Sequence, residues 1–172
     1  GISTSTSFID SNIGPDFSQT PPVPQNPFAG AGVQSVTVTN KGDVTIFPAV
    51  IFGASGGGAT ATGVATVAAN SVSIFYGGNG WAGGVGNTIT FANGIVVTVT
   101  SVGGAFGGQV TGVSLVSRGS YIGSAGNALN AGHYTQVSTT YASGVNVSID
   151  VIWLLNTVEV TSPGTGYAGA PA

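Results

Sequence analysis

The chain has 172 residues, of which 30 are glycine, two are Lys or Arg, five are Asp or Glu, and none is Cys. A net charge of -3, with charged residues at 4% of the chain, excludes partners recognised through phosphates, because two cations cannot neutralise a nucleic-acid backbone. Without Cys there are no disulfides, so stability must come from packing, backbone ladders or oligomerisation.

Residues 1–32 are expected to form an extended N-terminal arm. Ser and Thr crowd its start, and the prolines between residues 21 and 27 hold its later part extended. The alternatives are an unstructured tail and a strap that lies on a neighbouring subunit. Apolar side chains favour the strap, because a free tail gains nothing from exposing them. The predicted assembly residues are Phe8, Ile9, Ile13, Phe17 and Phe28.

Residues 33–172 are expected to form a β-repeat domain, with a division into two sub-units, 33–108 and 109–172, as an alternative. Val, Ile, Thr, Tyr and Phe dominate the ordered stretches, and no window of about ten residues has helical periodicity. The predicted fold is therefore all-β and antiparallel, with sandwich-like or barrel-like units. Strands are predicted at 34–40, 44–52, 59–68, 71–76, 87–92, 94–102, 109–117, 133–141, 144–154 and 156–162.

Two stretches of this domain carry more specific predictions. Asn93-Gly94 lies between two apolar, alternating runs and predicts a type I′ hairpin turn. The window 151–155 is the most apolar of the chain. A strand buried on both faces explains that window best, and an oligomer face is the alternative.

A strand-and-turn unit occurs four times at a spacing of roughly 36 to 45 residues, which is typical of a repeated supersecondary element. In its last copy Val158 and Val160 alternate with polar residues, and Pro163-Gly164 predicts a turn in which glycine has a positive φ. Three weaker copies precede it. The residues assigned to these structural turns are Gly42, Gly78, Gly80, Trp81, Gly119, Tyr121, Gly164, Gly166, Tyr167 and Pro171.

Few side chains can carry catalysis. A carboxylate pair for sugar cleavage would require Asp150 and Glu159 to converge. His133 has no acid near it in sequence, so an ordinary hydrogen bond is expected there. A single His without Cys argues against zinc, and the glycine loops lack the Asp pattern of a calcium site. We expect a protein that is not an enzyme, with no catalytic, cofactor-binding or metal-binding residues and no cofactor.

The aromatic residues have two interpretations. Trp81 and the five tyrosines could stack on sugars. Their recurrence at the turn position of the repeat favours a structural role as plugs. Lys41-Gly42-Asp43 likewise resembles a receptor-binding tripeptide, and a hairpin tip that needs glycine is the preferred interpretation.

Three segments carry a resemblance to a known class of protein. They read VEVTSPGTGYAGAP, VSIFYGGNGWAGGVGNTITFANGIVVTVTSV and VTGVSLVSRGSY. They resemble the Gly-x-Gly-Tyr…Pro β-repeats of tailed-bacteriophage virion proteins, both capsid decoration (cement) proteins and tail-fibre or tip proteins. The likeness covers residues 33–171, and the first copy departs from it by lacking an aromatic residue directly after its glycine.

The resemblance implies a structural or adhesive part of a virion. The first expectation is a capsid decoration protein on the particle surface, which binds the shell and neighbouring copies through its arm. The alternatives are a tail-fibre or tip adhesin that binds a host surface receptor, and an extracellular filament subunit linked by strand exchange. Expected partners are further copies and major capsid or tail proteins, without nucleic acid. Because no run of about 18 apolar residues occurs, we expect no membrane insertion.

Overall fold

The computed structural model describes residues 31–54, 56–104, 108–129 and 132–167. In these ranges the fold is all-β with antiparallel pairing, as predicted, and its one helical turn is a 3-10 turn at Ala92–Gly94. No helix of the described ranges is long and apolar enough to cross a membrane. The strands are β1 Asp43–Val44, β2 Thr62–Asn79, β3 Thr88–Phe91, β4 Ile95–Gly103, β5 Gln109–Arg118, β6 Tyr134–Thr139 and β7 Val145–Ser162.

The longest feature is a two-stranded ribbon of β2 and β7. Each strand has 18 residues, and they pair antiparallel from Thr62 opposite Ser162 to Asn79 opposite Val145. At about 3.3 Å per residue the ribbon is roughly 60 Å long. The sequence analysis split each strand in two, which is wrong. The ribbon has register shifts, one of them beside Asn70. Bulges at these shifts accommodate the polar residues that had predicted a break, so neither strand ends there.

Beyond β7 the sheet curves through the remaining strands, so that its last strand, β5, comes to lie near β2. The hydrogen-bonded order is β1-β7-β6-β3-β4-β5, with β2 on β7. Val67 of β2 and Tyr121, just after β5, exchange backbone hydrogen bonds of 3.0 and 2.9 Å, and the Trp81 N–H donates to the Gly108 carbonyl at 2.9 Å. The result is a barrel-like sheet. Parts 33–108 and 109–172 both contribute strands to it, since β2 pairs with β7 along its whole length.

The main core lies inside this curl. Its fully buried side chains include Trp81, Trp153, Phe91 and Ile149. The strand prediction for 151–155 holds, but burial on both faces is wrong: Val151 and Trp153 are buried, whereas Ile152 is 50% exposed. Residues alternate between the two faces of a strand, and no described residue covers Ile152 fully.

The clearest local prediction is confirmed. Asn93 and Gly94 have φ values of 62° and 75°, and the Ile95 N–H donates to the Ala92 carbonyl, as a type I′ turn requires. The turn joins β3 to β4.

The first copy of the repeat differs from the prediction. No strand forms over 34–40, and of 44–52 only Val44 lies in a strand, where β1 pairs with β7. Val36 is 36% exposed. The side chain whose alternation predicted a strand there therefore does not pack in the core. Local pattern alone does not hold a strand that lacks a partner.

Candidate assembly surface

The repeat glycines all have the backbone conformation that favours glycine. Three of the four matched positions also lie at a strand end: Gly78 in β2, Gly119 directly after β5 and Gly164 just after β7. Gly42 instead directly precedes β1, the first described strand. The φ values are 41° at Gly42, 66° at Gly78, 75° at Gly80, 60° at Gly119, 64° at Gly164 and 80° at Gly166.

The last turn is packed more tightly than the first. A Cβ at Gly164 would lie 2.5 Å from both the Ala59 carbonyl oxygen and the Ala61 nitrogen, whereas a Cβ at Gly42 would meet nothing within 4 Å. The Pro163 carbonyl next to it accepts a 2.7 Å hydrogen bond from the Val33 N–H. The turn at 163–166 therefore joins both ends of the described chain.

The turn aromatics are packing residues. Trp81 is fully buried and stacks on Tyr141 with ring centroids 5.7 Å apart. Tyr121 packs edge-on against Phe47, with centroids 5.8 Å apart. Tyr167 is 6% exposed and lies in a second, smaller core with Val33 and Ala61. Because Trp81 and Tyr167 are buried, their rings cannot stack on sugars.

Among the residues that the structure describes, the ionisable side chains form one close pair. His133 Nδ1 lies 2.5 Å from Asp150 Oδ1, and the His133 ring stacks on Phe75 with centroids 3.3 Å apart and an interplanar angle of 10°. Sequence analysis missed the acid because it is 17 residues away and meets His133 only through sheet pairing. Glu159 lies nine positions beyond Asp150 on the same strand, about 30 Å away, so these two carboxylates do not converge.

This cluster of Phe75, His133 and Asp150 is a surface feature. The exposed fractions are 58% for the Phe75 residue and 42% and 52% for the His133 and Asp150 side chains. Within the described ranges, no group of three His, Cys, Asp or Glu residues is close enough to share a metal ion. The Phe75, His133 and Asp150 cluster therefore has the geometry of an exposed aromatic and polar contact patch.

A shallow apolar groove of about 240 Å³ opens on another part of the surface. Three chain segments line it, and none of the lining residues is ionisable. Ile51 and Ile122 adjoin these segments in sequence and are 85% and 60% exposed. The lining residues are Phe47, Pro48, Ala49, Val50, Gly63, Val64, Ala65, Gly123 and Ala125.

Several predicted residues lie outside the described part of the chain. They are the turn residue Pro171 and the assembly residues Phe8, Ile9, Ile13, Phe17 and Phe28. The arm at 1–32 is described only from Ala31 onward, where the Ala31 carbonyl accepts a 3.3 Å hydrogen bond from the Tyr167 N–H.

The chain was compared with protein-family models, with curated proteins and with solved structures. No family model matches it, and neither the curated proteins nor the solved structures gave a match.

Proposed function

We propose that the protein is a non-enzymatic virion structural protein, namely a capsid decoration (cement) protein that binds the shell and neighbouring copies of itself. One observation carries this proposal. On the surface of the described residues, large apolar side chains are exposed and charged groups are almost absent. Exposed apolar residues include Ile51, Val116, Ile122 and Val137, at 85%, 62%, 60% and 69%. Charged residues make up 4% of the chain.

Such a surface suits permanent contact with other proteins. A soluble monomer keeps copies apart through charge repulsion, which a net charge of -3 over 172 residues supplies only weakly. Exposed apolar side chains then favour association by burial. Because few ion pairs could form, the association is expected to persist at high salt.

The repeat motifs supply the virion part of the proposal. The segments that resemble phage β-repeats include Gly78, Gly80 and Trp81 and the last turn at 163–167, and these residues have structural roles here. The proposed partners are neighbouring copies and major capsid or tail proteins, and the proposed location is the outer surface of the particle.

Self-association tests the proposal. Sedimentation velocity over a range of protein concentrations, at low and at high salt, should show oligomers that salt does not dissociate. Ile51→Asn and Ile122→Asn should weaken them, whereas Val85→Asn, at a 53% exposed site in the far 80–87 turn, should not. A stable monomer at every concentration would contradict the proposal, and equal losses in all three variants would show non-specific stickiness.

A tail-fibre or tip adhesin is the second candidate, favoured by the exposed Phe75, His133 and Asp150 cluster. An exposed ring beside hydrogen-bonding groups is suited to a receptor sugar or side chain. Phe75→Ala should abolish adsorption of the protein to host cells if this candidate is right, and Val137→Ala, another outward apolar residue, should not. Unchanged adsorption by Phe75→Ala, or no adsorption by the parent, would remove the candidate.

A further inference from the structure

One stretch of β2 has a partner strand on only one side. The Ala61 N–H, just before β2, donates to the Tyr167 hydroxyl at 2.7 Å, and Val67 is bridged to Tyr121. Between these two points β2 pairs with β7, and no described strand pairs with its other side. Residues 63–65 of this open edge line the apolar groove. An open edge beside an apolar groove is a template for an added strand.

The groove has the size and chemistry for one large apolar side chain. A cavity of about 150 Å³ is enough to hold a benzene ring, and this groove measures about 240 Å³. Its lining of Phe, Pro, Ala, Val and Gly offers no ionisable group to a charged ligand. An aromatic side chain that enters is expected to gain burial without leaving a charge unpaired.

The arm supplies such side chains and is connected close to the groove. The Ala31 carbonyl accepts a hydrogen bond from the Tyr167 N–H, and the N–H of Val33, two residues further on, donates to the Pro163 carbonyl. Pro163 lies three residues beyond Val160, which pairs with the groove residue Gly63. The base of the arm is therefore about 10 Å from the groove along β7.

The composition of the arm favours a groove on another copy. Its proline-rich part, 21–27, has the composition of a semi-rigid spacer, for which about 3 Å of reach per residue gives a span of about 20 Å, twice the distance from the base of the arm to its own groove. Beyond it, Ser3 to Ile9 is rich in Ser and Thr and has strand-compatible composition, with Phe8-Ile9 as its apolar end.

We infer that the Phe8-Ile9 segment of one copy docks on a neighbouring copy, with the Phe8 ring in the groove and its backbone along β2 at residues 63–65. This inference deepens the proposed function and rests on it for the presence of neighbours. The contact is heterologous, because an arm meets a groove. It therefore builds a ring if the rotation closes and an open chain if it does not.

Engineered cysteines test the contact cleanly, because the chain has no Cys of its own. Ala49 lines the groove and is exposed, so Ala49→Cys should fold normally. Phe8→Cys and Ala49→Cys single variants are mixed under mild oxidation, and the Phe8→Cys/Ala49→Cys double variant is oxidised at high dilution. A disulfide forms only where the two Cα atoms come within about 7 Å. Ala142→Cys, exposed in the turn at the other end of the ribbon, replaces Ala49→Cys as the control.

A disulfide-linked heterodimer in the Phe8→Cys and Ala49→Cys mixture, absent with Ala142→Cys, is the expected result. A monomeric intrachain disulfide in the diluted double variant, without the heterodimer, would place the arm in its own groove and overturn the inference. No disulfide in a parent-like oligomer would overturn the groove contact but leave the proposed function standing. If the parent protein never associates, the proposed function fails first.

A variant without cysteine gives an independent check. Ala49→Glu places a charge in the groove and should reduce the oligomer at least as strongly as Phe8→Ser, while Ala142→Glu leaves it unchanged. Circular dichroism and thermal unfolding establish that each variant is folded. Full-sized oligomers from folded Ala49→Glu would contradict the inference.

Discussion

The backbone N–H of Ala61 donates a buried 2.7 Å hydrogen bond to the phenolic oxygen of Tyr167, 106 residues away in the chain. Tyr167 thereby holds the start of β2 against the turn that follows β7. The ring packs in the small core with Val33 and Ala61, against Phe52 and Val160. This one side chain contributes both packing and a buried hydrogen bond to the last repeat turn.

Tyr167→Phe should lower the free energy of unfolding by about 1–3 kcal/mol, because it leaves the buried Ala61 N–H without an acceptor. Tyr167→Ala should cost about 3–5 kcal/mol, since a cavity is added. Urea unfolding measures both. Tyr76→Phe is the control, because that exposed hydroxyl accepts a hydrogen bond only from the Asn79 side chain. Equal stability of Tyr167→Phe and the parent would show that the bond adds nothing.

A pair of glycine variants separates backbone strain from crowding. Gly164 and Gly86 both have positive φ, 64° and 87°, but a Cβ at Gly86 would meet nothing within 4 Å. Gly86→Ala should therefore cost about 1 kcal/mol from backbone strain alone. Gly164→Ala should cost at least a further 1–3 kcal/mol, because its Cβ would displace backbone atoms of 59–61. Thermal unfolding of the two variants gives the difference, and equal melting temperatures would refute tight packing of the last turn.

Stability should fall at alkaline pH in a way that depends on Tyr134. Burial raises the pKa of the Tyr134 phenol above its ordinary value of 10.0, and nearby Tyr121 adds to the rise. As pH rises past 10, the unfolded chain loses this proton first and binds fewer protons than the folded one, so the free energy of unfolding decreases until the folded pKa is passed. Urea titrations from pH 8 to 11 measure the slope.

Tyr134→Phe should make that alkaline slope shallower, because the group that titrates differently in the two states is gone. Tyr76→Phe, at a 41% exposed position, is measured beside it as the control variant. Identical slopes in the parent and Tyr134→Phe would contradict the assignment.

The His133 and Asp150 pair should matter little for stability. Both side chains are about half exposed, and exposed pairs contribute about 0.2–1 kcal/mol. A double-mutant cycle with His133→Ala and Asp150→Ala is expected to give a coupling energy in that range. A coupling above about 2 kcal/mol would mean that the pair, with Phe75, holds the start of β6 on the sheet.

Sequence patterns predicted this fold where a segment's neighbours are local. Asn93-Gly94 specifies its own turn, and the alternation around Val158 and Val160 specifies a strand face. The patterns failed where distant contacts decide. Val36 alternates as a strand residue does but meets no partner, and Ile152 lies in the most apolar window but on the outward face.

The candidate surface was harder to predict for the same reason. The groove exists because segments 47–50, 63–65 and 123–125 meet around the open side of β2, and no single segment has an unusual composition. The pairing of His133 with Asp150 likewise depends on β6 lying beside β7. The register between strands far apart in sequence is set by how the whole barrel-like sheet packs, which local residue patterns do not encode.

Ala31 and Tyr167 lie hydrogen-bonded at one end of the ribbon, while the 80–87 turn lies at the other end, roughly 60 Å away along the strands. A mechanical pull applied through both flanking segments would act on that single end. It would load the bonds of Tyr167 to Ala31 and of Val33 to Pro163 one after the other, and the long ladder of β2 and β7 would peel open from there. Under tension the molecule should therefore open like a zipper, at low force, with the far turn released last.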